Sequence, residues 1–195
     1  MSRPARFNVP LLLTWLRIVA IPLFVAVLYF PQDWLSERQA NIISMWIFIA
    51  AAVTDWADGY LARRWNQTTS FGAFLDPVAD KLMVAAALIV LTEKGFVDPF
   101  ASLIIIGREI TISALREWMA QIGQSRSVAV NILGKVKTVS QLVAIPFLLF
   151  NGVLLGLFHT VPVGRALIWV AAAITLLSMI VYLRAALAVP SPPGE

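Results

Sequence analysis

Six long apolar stretches dominate this chain, at roughly 11–30, 41–65, 76–92, 100–121, 129–150 and 163–187. A helix rises ~1.5 Å per residue, so about 20 apolar residues cross a hydrocarbon core of ~30 Å. Each stretch is of that order, and the connections between them are short and carry helix stops such as Pro31, Gly95, Pro99, Gly152 and Pro162. Only 13% of the 195 residues are charged and 59% are hydrophobic, against a charged share of about 25% in soluble domains. The expected fold is therefore an all-α integral membrane protein, a six-transmembrane-helix bundle. It forms a single membrane domain over 1–189, and the proline-rich 190–195 is a flexible tail. The first stretch is too long for a signal core, lacks a small-residue cleavage pattern and leads into further spans, so it is read as retained.

Basic residues set the orientation. With the amino terminus in the cytosol, Arg3, Arg6, Arg63, Arg64, Arg116, Arg126 and Arg184 fall inside, while Arg38, Lys94 and Arg165 fall outside. That bias places both termini in the cytosol and gives a basic inner face suited to anionic lipid or phosphate. No basic run interleaved with aromatics lies outside the spans, so no nucleic-acid partner is expected. The absence of cysteine excludes disulfides, thiolate metal sites and cysteine nucleophiles, and the single histidine, His159, excludes any multi-imidazole centre. His159 reads as a surface or interfacial residue, and most of the tryptophans as an interfacial belt.

The chemistry concentrates between Thr54 and Lys81. Asp55 and Asp58 stand at i and i+3, and Asp76 and Asp80 at i and i+4, so each pair shares a helix face. The polar segment Arg63–Leu75 reads as the link of an antiparallel hairpin that brings the pairs to one depth, in the cytosolic third. Four aspartates in lipid would cost on the order of 10–14 kcal/mol on the insertion scale. Lys81 and the Arg63–Arg64 pair supply some compensation, and divalent cations more: hard oxygen donors without His or Cys suit Mg²⁺ or Mn²⁺. Two such ions would clamp an in-line phosphoryl displacement. The bland alternative makes these residues caps and salt-bridge partners. It fits Asp76, which precedes Pro77 as at an ordinary helix start, but not all four. Gly59, Ala62 and Gly72 lack bulk beside the acids, where a ligand can approach the backbone.

The run Asp55-x2-Asp58-Gly59-x2-Ala62-Arg63-x8-Gly72-x3-Asp76-x3-Asp80 resembles the signature of the CDP-alcohol phosphatidyltransferase family position for position. The segments NVPLLLTWLR (8–17), REITISALREWMA (108–120) and GKVKT (134–138) are similar to the bacterial branch of that family. Leu11 departs from it, standing where many members carry a polar residue. The resemblance implies a six-span, dimeric enzyme of the bacterial inner membrane, with its active site facing the cytosol. CDP-diacylglycerol and an alcohol would react to give a phosphatidyl alcohol and CMP. It implies that Asp55, Asp58 and Asp76 hold two divalent cations, that Asp80 is both metal-proximal and the general base, and that Gly59, Ala62, Arg63 and Gly72 line the CDP site.

Basic residues within the bundle report on the acceptor. Arg108 lies well inside the fourth stretch, with Lys135 and Lys137 at the start of the fifth. Arg grips phosphate bidentately and Lys adds a point charge, so these residues, with Arg116 assisting, favour a phosphorylated acceptor, sn-glycerol 3-phosphate. Their competing roles are a pair between Arg108 and Glu109 and lysines snorkelling to headgroups. Inositol phosphate, serine or phosphatidylglycerol as acceptor, and a cation transporter as another class, stay open. The lack of an internal repeat argues mildly against the transporter.

Overall fold

The computed structural model describes residues 9–65, 70–121 and 132–187. Within them, nothing is described of the side chains at 9–11, 58–63, 65, 70, 73, 116, 132–135, 181–182 and 185–187. The expected tail at 190–195 lies outside the described residues, as do Arg3, Arg6 and Arg126.

Among the described residues there are six long helices: α1 (Val9–Leu28), α2 (Glu37–Trp65), α3 (Ser70–Glu93), α4 (Pro99–Gln121), α5 (Ile132–Phe150) and α6 (Thr160–Leu187). Their ends follow local chemistry. Ser36 and Gln39 cap α2 reciprocally: the Gln39 amide donates to Ser36 Oγ (3.4 Å), and the Ser36 amide donates to Gln39 Oε1 (3.1 Å). Asp98 Oδ1 accepts the Phe100 amide (2.8 Å) ahead of Pro99, the first residue of α4. Helix α3 ends in a paired turn in which Phe96 N donates to Leu91 O and Gly95 N to Thr92 O; Gly95 takes the left-handed conformation (φ 73°) that this turn requires. Between α5 and α6 lies a small hairpin, not anticipated from sequence, in which β1 (Val153–Leu154) pairs antiparallel with β2 (Phe158–His159). His159 sits exposed on it.

The helices close into a ring in the order α1, α2, α5, α6, α4, α3, each touching the next. Two expectations need correction here. Residues 63–75 are not the link of a hairpin: α2 runs to Trp65 and α3 starts at Ser70, so Gly72 is a buried helical residue. Asp76 is not a helix start either, because Pro77 lies inside α3. Helices α2 and α3 touch at few points, since α1 packs against both and separates them along most of their length.

The bundle is polarised along its axis. Toward the end holding the connections 29–36, 94–98 and 151–159, the interior is mainly apolar, built from Phe24, Phe48, Leu88, Leu91, Ile105, Leu148 and Ile168, and its buried polar side chains, Asn41, Ser44, Ser102 and Thr160, are uncharged. The buried charges Arg17, Arg108 and Lys137 lie toward the opposite end, with Thr14, Gln141 and Ser178 buried there beside apolar Ile112 and Met119. Outside, all six helices expose large apolar residues, among them Val19, Trp46, Ile89, Ile110, Val139 and Leu177. An apolar exterior around a partly polar interior suits lipid as the surrounding solvent and marks the protein as membrane-associated. Among the described residues, the 21-residue windows Glu37–Ala57 and Thr160–Ile180 are long and apolar enough to cross a membrane by length and composition. Leu12–Leu28 and Val136–Phe150 are shorter apolar helices. Helices α3 and α4 carry Asp76, Asp80, Lys81, Arg108 and Glu109, which lowers their apolar content.

Close helix approach is visible at Gly164, where a Cβ would lie 2.7 Å from Leu148 Cγ and 3.2 Å from the Ala144 carbonyl. Only a residue without a side chain lets α6 approach α5 so closely. Gly164→Val is expected to cost about 1–3 kcal/mol, read as a fall in the thermal unfolding temperature of the purified protein; an unchanged transition would show that the contact is slack.

Candidate active site

The first helix organises the acids of the next two. Thr14 and Arg17 stand at i and i+3 on one face of α1, and both are buried. Arg17 Nη1 forms an ion pair with Asp55 Oδ1 of α2, and Thr14 Oγ1 donates to Asp76 Oδ1 of α3. The Arg17 side chain is 1% exposed, whereas that of Asp55 is 41% exposed, so a buried guanidinium orients a carboxylate whose outer face remains open. The Arg17 charge offsets the local negative potential, a task that the sequence assigned to Lys81 and to Arg63–Arg64. Trp15 of α1 and Phe71 of α3 stack obliquely at 6.5 Å beside this contact.

Asp80 stands one turn beyond Asp76. Electrostatic coupling reaches it from Asp55, Arg17, Lys81 and Glu109, so α1, α2, α3 and α4 all act on this carboxylate. It lines a narrow cavity together with Arg17, Ala51, Ala52, Met83 and Leu142, where small residues of α2 leave room beside the acids. Its neighbour Lys81 donates to Ser113 Oγ of α4.

A second cluster faces this one from α4 and α5. Glu109 Oε1 accepts from Arg108 Nη1 at 2.9 Å and also from Lys137 Nζ. Arg108 reaches on to Ser178 Oγ of α6 at 3.2 Å. Both cations are buried, at 8% and 4% exposure, which places their charge inside the bundle and not at a lipid headgroup. The pairing of Arg108 with Glu109, weighed from sequence as a competing role, is thus present, and it includes Lys137. Lys137 lies within electrostatic reach of Asp80. The larger cavity at the other end of the bundle, about 550 Å³, is lined by Arg165 and Trp169 and contains none of these residues. There the Arg165 guanidinium donates to the carbonyls of Gly95 and Phe96.

The remaining candidates are placed by backbone alone. Asp58, Gly59, Ala62 and Arg63 follow Asp55 on α2, Arg116 lies two turns after Arg108 on α4, and Lys135 is in the first turns of α5. Their side chains lie outside the described residues.

For a divalent cation, the donor chemistry fits. Asp55, Asp76 and Asp80 offer hard carboxylate oxygens without competing nitrogen or sulfur, and two of them are fixed by bonds from α1, as a metal ligand is held by its outer partners. Among the described residues no three acidic or imidazole groups lie close enough to hold an ion by themselves. The side chain of Asp58, one turn after Asp55 on α2, lies outside the described residues.

Sequence reasoning gave no site role to Thr14, Arg17 or Ser178, and took Glu109 only as a competing partner of Arg108. A signal was present for two of them: an arginine inside an apolar stretch, one turn from a threonine, is a functional candidate by default.

A family model described as CDP-alcohol phosphatidyltransferase matches residues 7–177. A CDP-diacylglycerol–glycerol-3-phosphate 3-phosphatidyltransferase of Escherichia coli (strain K12) is 51% identical over 183 residues, covering 93% of this chain and 96% of the relative. Its counterpart in Salmonella typhimurium (strain LT2) is 50% identical over the same shares of both chains.

Removing the α1 partners tests their orienting role. Thr14→Val keeps the shape and deletes one bond to a carboxylate, with an expected cost of about 1–3 kcal/mol. Arg17→Met is expected to lower the unfolding temperature further, since it leaves Asp55 without its cation. Equal stability of both variants and the parent protein in thermal unfolding would remove α1 from the account.

Proposed function

The chain belongs to the CDP-alcohol phosphatidyltransferase family, and on that premise we propose that it transfers the phosphatidyl group of CDP-diacylglycerol to sn-glycerol 3-phosphate, releasing CMP. The observation that supports this reading best is that one bundle holds both an acidic set, Asp55 and Asp76 bonded to α1, and a buried basic set, Arg108 and Lys137 joined by Glu109. A nucleotide lipid needs the first and a phosphorylated acceptor the second.

In this reading Asp55, Asp58, Asp76 and Asp80 hold two divalent cations, Mg²⁺ or Mn²⁺. When bound, the ions neutralise the diphosphate and stabilise the departing CMP. Gly59, Ala62, Arg63 and Gly72 line the CDP site, where small side chains admit the nucleotide against the backbone of α2 and α3. Arg108 and Lys137, with Lys135 and Arg116, hold the acceptor phosphate and thereby aim its free hydroxyl at the lipid-linked phosphorus. Asp80 accepts the hydroxyl proton as the oxygen attacks. The new bond joins that oxygen to phosphorus, the bond from phosphorus to the CMP oxygen breaks, and CMP leaves with the electron pair. The basic cluster favours a phosphate-bearing acceptor over serine, because Arg108 and Lys137 together exceed the single negative charge of Glu109.

The proposed setting is the bacterial inner membrane. The six helices cross it, the acidic and basic end and both termini face the cytosol, and the protein works as a homodimer. Supporting this are the apolar exterior, the polar end of the interior and the positive-inside bias of the basic residues.

Purified protein supplied with CDP-diacylglycerol and a panel of alcohols is expected to release CMP with glycerol 3-phosphate. Release requires Mg²⁺ or Mn²⁺ and stops with chelator. CMP release with serine but not glycerol 3-phosphate would overturn the acceptor assignment. Asp80→Asn is expected to lower turnover by about 10²-fold or more. Lys137→Gln is expected to raise the KM for glycerol 3-phosphate while leaving that for CDP-diacylglycerol near its original value; equal effects on both would remove Lys137 from the acceptor site.

A further inference from the structure

From the geometry around Glu109 we infer that this carboxylate is a positioning residue for acceptor recognition, holding Arg108 and Lys137 as one phosphate-sized clamp. The inference rests on the proposed acceptor site and adds a residue that the sequence reading treated only as a neutralising partner.

The argument begins with two like charges buried side by side. Arg108 and Lys137 come from different helices, α4 and α5, and repel each other across the bundle interior. Little solvent screens them there, so without an intervening anion they would move apart or lose charge. A single oxygen, Glu109 Oε1, accepts a hydrogen bond from both. Two nitrogens bonded to one oxygen at ~3 Å each lie no more than ~6 Å apart, a spacing at which two oxygens of one phosphate group can be gripped together. The neighbouring helices complete the frame. Ser178 of α6 receives Arg108 on its far side, and Ser113 donates to the backbone carbonyl of Glu109 while accepting from Lys81 of α3. Four helices therefore fix the position of one carboxylate and its two cations.

Glu109 is adjacent in charge to Asp80 but points its bonds at the cations, which separates its role from proton transfer. An ammonium has three N–H donors, and the bond to Glu109 uses one of the three on Lys137. The clamp can thus take an anionic ligand without first breaking apart. Glu109 does not touch the acceptor in this scheme: its effect passes through Arg108 and Lys137. Removing it should weaken acceptor binding and leave binding of the nucleotide lipid unchanged.

The test compares Glu109→Gln, Glu109→Asp, Lys137→Gln and the double variant Glu109→Gln/Lys137→Gln in CMP-release kinetics, with both substrates varied. Folded protein is quantified by thermal unfolding and size-exclusion profile. Glu109→Gln is expected to raise the KM for glycerol 3-phosphate about tenfold or more, with the KM for CDP-diacylglycerol within about twofold. Glu109→Asp, which keeps the charge, should recover part of the loss. The double variant should fall short of the product of the two single effects, because Glu109 acts in part through that lysine; it also restores the net charge of the parent cluster, so it reports even if Glu109→Gln folds poorly.

A fall in turnover with both KM values unchanged would reduce Glu109 to a structural part and overturn the inference. So would multiplicative effects in the double variant. Loss of acceptor affinity in Lys137→Gln but not in Glu109→Gln defeats this inference alone. Normal acceptor affinity in Lys137→Gln defeats the proposed acceptor site itself, and this inference with it.

Discussion

A buried guanidinium and a buried hydroxyl on one face of α1 hold the carboxylates of two helices that scarcely touch each other. Arg17 takes Asp55 and Thr14 takes Asp76, so the spacing between the acids of α2 and α3 is set by a third element. This arrangement addresses the electrostatic difficulty directly. Acidic side chains gathered in an apolar bundle are costly and repel each other, and a fixed cation lowers both penalties without closing the open face of Asp55. The same device recurs with reversed sign on the other side of Asp80, where Glu109 lies between Arg108 and Lys137.

Around these clusters the bundle divides its work by depth. One end is filled with large apolar side chains and tight contacts such as Gly164 against Leu148, which fixes the relative positions of the helices. The other end carries the buried charges Arg17, Arg108 and Lys137. A rigid apolar half supporting a polar half is a sound way to hold reactive groups in register, since packed cores deform little and transmit position along helices.

Much of this was legible in the sequence. The apolar stretches matched the number of long helices among the described residues and nearly all of their extents, because long apolar runs broken by proline and glycine mark helices and their ends. The spacing of Asp55, Asp58, Asp76 and Asp80 pointed to the family. The connection between the two acidic helices was misread. Residues 63–75 are polar and contain Gly72, which looks like a loop, yet α2 and α3 extend through most of them and leave only 66–69 between. Pro77 suggested a helix start, but a proline within a helix is tolerated where neighbouring elements satisfy the backbone. Arg17 and Glu109 were visible as charges within apolar stretches, and the Arg108–Glu109 pair could be foreseen, while the pairs Arg17–Asp55 and Lys137–Glu109 could not. The bonds run between α1 and α2 and between α4 and α5, and no local pattern encodes which helices become neighbours in the ring.

The central claim is that the carboxylates ordered by α1 form one oxygen-donor site for a divalent cation. Electron paramagnetic resonance of Mn²⁺ titrated into the purified protein with CDP-diacylglycerol tests it most directly. Saturable Mn²⁺ in an all-oxygen environment is predicted, lost in Asp76→Asn and weakened in Arg17→Met, which alters no candidate ligand. Binding that is absent in the parent protein, or equally tight in all three, would contradict the account.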